Sequence, residues 1–208
     1  MPLIRKPRDS SQEAEPKPAF SPEELASPDE NRRWAAARAA AGNPDSAIPL
    51  ATALRAETSP RVREALFTSL ARMNSPAAAV HILPFLRSDD ANLRTGALDV
   101  LRTMSLDSQS LLPSLLADAD VDVRVLSCEL VRALPDETAT SLLCELLRRE
   151  PEPNVCAAAL DVLAEVGNAE ALPILAACAL KFHDTPFLAF AIRVTADRIR
   201  AHSSHSRD

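Results

Sequence analysis

The chain has 208 residues, of which 47% are hydrophobic and only 3% aromatic, with three glycines and a formal net charge of -6. Few aromatics and glycines amid abundant Ala and Leu favour packed helices over sheet, and the acidic balance argues against a phosphate-binding surface, so no nucleic acid is expected as partner. No apolar run reaches the ~20 residues of a membrane span, so no membrane partner is expected.

Residues 1–20 mix Pro, Ser and both charge signs with little to bury, and a disordered tail is expected there. Within it Ile4–Arg8 reads as a solvated terminus or a short recognition peptide. From Ser21 to Ala26 a short helical turn is expected: Ser21 caps, Pro22 suits the first position, Glu24 completes a capping box, and Phe20 staples to Leu25. The first long helix then runs over 29–41 and stops at Gly42-Asn43, its inner face mostly Ala with Trp34 as the one large ring. A second helix over 45–57, carrying Ile48, Leu50 and Leu54, closes a hairpin. The same plan recurs as 59–73 with 76–88, 90–104 with 107–117, 120–134 with 136–149, and 152–166 with 169–182. A helix over 184–200 stands last, and 201–208 is expected to be a disordered polar tail.

Aligned on their first polar residues, the copies begin at Asp29, Ser59, Asp90, Asp120, Glu152 and Asp184, a period of 30 to 32 residues that marks a stacked repeat array. These are mostly good N-cap residues. Apolar or small residues recur at offsets of three, six, seven, ten, eleven and fourteen, which builds one broad buried helical face. Offset nine (Arg38, Thr68, Asp99, Glu129, Asp161, Arg193) should face solvent. Offset four reads Arg33, Arg63, Arg94 and Arg124, then Cys156 and Leu188.

A cap followed four residues later by Arg, at this period, resembles the Asp/Arg pattern of HEAT repeats, most of all the short bacterial variety found also in phycobilisome lyase subunits. The resemblance implies an all-α, α-α superhelix, a HEAT-like α-solenoid of five hairpins plus a terminal helix over 21–200. It implies that the second helices line a concave surface, and that Arg and Asp side chains link adjacent repeats in a ladder. Asp90–Arg94 and Asp120–Arg124 are then its foremost members, with Asp29, Arg33, Ser59 and Arg63 as structural companions. An alternative for the Arg column is to grip an acidic ligand.

Catalytic and metal patterns are thin. The four histidines make no metal-binding spacing, and there is no H-E-x-x-H and no G-x-S-x-G. The four cysteines fall in apolar helical patterns without a C-x-x-C, as small buried residues do in a reducing compartment. The chain is therefore expected to be cytoplasmic, non-enzymatic and without cofactor or metal. The expected function is an interaction scaffold or adaptor for another protein, in a bacterial signalling or regulatory pathway; a bilin lyase or chromophore-chaperone subunit is the alternative implied by the same repeats. On the second helices Arg55, Arg87, Arg148, Arg149 and Lys181, with His81 and Glu145, are binding candidates, although the helix dipole also favours cations in a last turn. At the C-terminal end, Leu188 breaks the Arg column and is a candidate for an apolar docking patch; a monomer or a weak homodimer through that end is expected.

Overall fold

The computed structural model describes residues 20–104 and 108–205, the side chains of 108–110 and 203–205 excepted. The Ile4–Arg8 peptide, nearly all of the N-terminal tail, and residues 206–208 lie outside that range.

The described residues form helices in alternating order. The first helices are α1 (Glu30–Ala39), α3 (Pro60–Met73), α5 (Ala91–Thr103), α7 (Val121–Val131), α9 (Pro153–Val166) and α11 (Pro186–His205). The second helices are α2 (Ala47–Ala56), α4 (Pro76–Ile82), α6 (Ser108–Leu115), α8 (Asp136–Arg149) and α10 (Leu172–Lys181). Each first helix packs on the next, from α1 through α11, and second helices pack likewise, α2 on α4 and α8 on α10. The result is an α-solenoid of two layers, whose core runs between them without a break from Leu25 to Ile199.

Proline explains most departures from the expected boundaries. Three second helices contain 3₁₀ turns: Pro44–Ser46 before α2, Leu83–Arg87 after α4, and Ala169–Ala171 before α10. Pro84 has no N–H to continue the α-helical ladder, so the chain tightens there. Helix α7 ends at Val131, because Pro135 disfavours helical geometry just before it and the last residues turn by i→i−3 bonds, Ala133 to Leu130 and Leu134 to Val131. Gly42, at φ +82, and Asn74, at φ +38, take the left-handed conformation that ends α1 and α3.

Two local expectations are corrected. The capping box at Ser21 does not form: Pro22–Ala26 is a 3₁₀ turn, Ser21 Oγ donates instead to Glu23 at 2.6 Å, and Glu24 accepts a two-pronged contact from Arg32 at 2.6 and 2.8 Å. At the other end α11 continues through His205, past the expected boundary at 200. Extending a formed helix fixes one residue per new hydrogen bond, so a polar sequence does not by itself stop it.

Candidate functional site

Along one edge of the solenoid each second helix hands the chain to the next first helix. Asp29, Ser59, Asp90 and Asp120 there accept from the N–H of Asn31, Val62, Asn92 and Asp122. Glu152 makes no such side-chain cap. A column that sequence inspection missed stands two residues before each cap: Ser27, Glu57, Ser88, Asp118 and Glu150. In these five copies its side chain accepts from the cap residue's own N–H, at 3.3, 2.8, 3.2, 2.9 and 3.1 Å in turn. The signal was present as a polar residue recurring at that offset.

The Arg column closes on this edge. Arg33, Arg63, Arg94 and Arg124 each donate to the carbonyl oxygen six residues back, at 3.0, 2.7, 2.6 and 2.9 Å. Three of the four also reach an acid at the junction with the following repeat. Arg33 binds Glu57 through Nε and Nη2 at 2.7 and 3.1 Å, and Arg124 binds Glu150 in the same way at 2.8 and 2.9 Å. Arg63 Nη1 donates to Asp90 at 2.7 Å. Of the expected ladder members, Asp90 pairs with Arg63 of the preceding copy and Arg124 with Glu150, rather than Asp90 with Arg94 or Asp120 with Arg124. The Asp carboxylate that caps an Arg's own helix is turned to the helix N-terminus, and the acid that meets the Arg stands at the junction with the following repeat. Both Glu57 and Glu150 are nearly fully buried, at 6% and 3% exposure, which a charged group tolerates only when it is paired.

Two of the candidate binding cations are used internally. Arg87 pairs with Asp118 of the next repeat, and Lys181 Nζ donates to the Glu150 carbonyl at 2.6 Å. Arg55 lies over the Phe85 ring, 5.2 Å from its centroid, Arg148 pairs with Glu145 on an exposed turn of α8 at 2.9 Å, and Arg149 lines a shallow cavity with Asp118 and Glu150. His81 is half-buried on α4. The second-helix layer also exposes three large apolar side chains, Ile48, Val80 and Leu180.

Leu188 is not part of a docking patch; it is completely buried. The last copy starts one residue later than its Asp suggests, because Pro186 opens α11 and the carbonyl of Thr185 accepts from Leu188 and Ala189. Counted from Thr185, Leu188 falls at offset three, with the buried Val62, Leu93, Val123 and Val155. The shifted register also aligns Thr195 with Ser69 at offset ten. Each donates its hydroxyl to the residue at offset eight of the preceding copy, Thr195 to Leu160 at 3.1 Å and Ser69 to Ala37 at 2.7 Å. The exposed rings at this end are Phe187 and Phe190.

On the first-helix face the solvent column is tied together by charge. Arg102 pairs with Glu129 at 2.9 Å, and Arg132 with Glu129 and Asp161 at 3.3 and 2.8 Å and with Glu165. Trp34 packs its partly buried ring against the core and also borders this face. It stands at offset five, outside the buried set, with the guanidinium carbons of Arg38 and Arg61 lying 4.6 and 4.4 Å from its ring centroid.

All four cysteines are free and buried. Burial pushes the Cys128 and Cys156 thiols up to about 12, and raises Cys144 and Cys178 as well. They are in the wrong protonation state for nucleophilic chemistry. No group of His, Cys, Asp and Glu suited to a metal ion occurs among the described residues, and no helix among them is long and apolar enough to cross a membrane.

The family model described as HEAT repeats matches residues 23–102 and 108–193. Among solved structures, the crystal structure of an engineered protein from the Northeast Structural Genomics Consortium is similar over 86% of this chain and 95% of its own, at 17% identity and a TM-score of 0.41. No curated protein matches.

Proposed function

The chain belongs to the HEAT-repeat family, and from that membership we propose that it is a non-catalytic scaffold or adaptor binding a partner protein along its second helices. Helical solenoids use their extended faces in this way.

The observation that carries the reading is the exposure of Ile48 and Val80, at 61% and 53%, on α2 and α4, which pack side by side. Ile48, Thr52 and Arg55 follow one another at steps of four and three, so they share one face of α2. Apolar side chains beside a cation held over a ring suit the centre and rim of a protein interface. A bacterial signalling or regulatory pathway in the cytoplasm is the setting that the repeat variety suggests. The test is affinity capture from the native cell with the unaltered protein and with an Ile48→Glu, Val80→Glu double variant. A partner lost with the variant, at unchanged helicity, supports this face, and a partner retained in full overturns it. A shifted visible absorbance on mixing with free bilin would favour a chromophore-handling subunit instead.

A further inference from the structure

Two cavities open side by side on the other layer, lined by first-helix residues alone. One, of about 310 Å³, lies between α1 and α3, where Trp34, Arg38, Arg61 and Arg72 meet. The second, of about 610 Å³, lies between α3 and α5 over Phe67, Ala71, Gly96 and Val100. Glu64 and Thr68 line both, so the two grooves meet across the ridge of α3. The larger groove keeps its apolar floor because Gly96 lacks a side chain: a Cβ there would stand 2.3 Å from the Phe67 ring, which occupies that space.

The charge of the smaller groove is unbalanced. Elsewhere on this face Arg102 and Arg132 are matched by carboxylates of neighbouring helices. Among the described residues Arg38 and Arg72 have no carboxylate within ion-pair distance, and Arg61 reaches Glu30 only at 4.0 Å while donating to Asn31 at 2.8 Å. Glu64 is the single acid lining that groove, against three guanidiniums. Two of the three, Arg38 and Arg61, are held over the Trp34 ring, which restrains them.

We infer that this face docks an acidic segment of a partner protein, its carboxylates on Arg38, Arg61 and Arg72 and an apolar side chain on Phe67 beside Gly96. The chain's net charge of -6 does not oppose this, since distant charges are screened beyond ~8 Å at physiological salt and the local arginines decide. Three cations next to the acids Glu64 and Asp99 would hold nucleic acid only weakly, because that affinity grows with each phosphate neutralised.

Trp34 is the sole tryptophan, so its fluorescence reports on this site directly. The experiment is a titration with an acetylated, Glu-rich peptide carrying one Leu, alongside the same peptide with Ala for Leu, a Lys-rich counterpart and a single-stranded DNA oligonucleotide. The expected result is a saturable change with the acidic Leu peptide. It should weaken with added salt and by at least about tenfold in an Arg38→Glu, Arg72→Glu variant, and by a smaller factor with the Ala peptide. Should that variant lose helicity, the milder Arg38→Gln and Arg72→Gln changes must each weaken binding. Ile48→Glu, on the second-helix face, should leave it unchanged. No saturable signal, equal affinity after the arginine substitutions, or tighter binding of the Lys peptide or the DNA would overturn the inference.

Discussion

Lys181 reaches with Nζ to the carbonyl oxygen of Glu150, 2.6 Å away, and so fills the place that an arginine holds in the four earlier copies. Cys156 stands where that arginine would be, and its Sγ offers only a weak contact to the same oxygen at 3.7 Å. The fourth and fifth repeats are thus joined by a side chain from α10. Lys181→Ala should lower stability by about 1 kcal/mol, the usual net worth of such a bond, while Lys181→Arg should retain most of it. Urea unfolding followed by circular dichroism measures both, and equal midpoints for Lys181→Ala and the unaltered protein would remove the brace from the account.

Glu57 ties the second repeat to the first. The Arg33 hydrogen bond holds its carboxyl below the usual range, and the N–H groups of Ser59 and Thr58 add to this against the opposing effect of burial. Asp90 is lowered too, first by the N–H of Asn92 and then by Arg63. Groups depressed in the folded state stabilise it above their unfolded value and lose that contribution as pH falls through the folded one. The melting temperature should therefore hold near neutral pH and drop below about pH 4.5, the ordinary value for Glu. Glu57→Gln should be less stable at neutral pH, and the two melting curves should converge in acid. Parallel curves throughout would show that Glu57 carries no such linkage.

The buried thiols predict chemical silence. With Cys128 and Cys156 pushed up to about 12, the thiolate fraction in mildly alkaline buffer falls on the order of a thousandfold below that of a free cysteine. Iodoacetamide should leave the folded protein unlabelled and modify all four cysteines in denaturant, as intact-mass spectrometry would reveal. Rapid labelling of the native protein would mean that the α7–α9 region opens far more readily than its packing suggests.

Gly96 sits inside α5, where alanine would ordinarily gain up to ~1 kcal/mol in helix propensity. Its added Cβ would meet the Phe67 ring at 2.3 Å, and forcing atoms into an occupied space costs roughly 1–3 kcal/mol. The clash should win, so Gly96→Ala is expected to be destabilising and Phe67→Leu to recover part of the loss in the double variant. A thermal melt in which Gly96→Ala alone raises the midpoint would show that the ring swings clear at little cost.

The repeat period, the alternating helices and the buried columns were legible in the chain itself, because cap residues and apolar spacing are local and recur in every copy. Val62, Leu93, Val123 and Val155 declared their burial by offset alone. The last copy was less legible: its Asp184 imitates a cap, but Pro186 sets the register, and Leu188 moves from a presumed surface position into the core. Pairing was not legible at all. Whether Arg124 meets Asp120 at the start of its copy or Glu150 at its end depends on which acid the packing brings under the guanidinium, and only the three-dimensional arrangement of the helices decides that. The same packing consumes Arg87 and Lys181 as braces and, among the described residues, leaves Arg38 and Arg72 without an acid. Local periodicity determined the fold, because caps and apolar spacing act within one helix, whereas tertiary stacking decided which charges are spent in holding the array together, because ion pairs form between residues that only packing brings into reach.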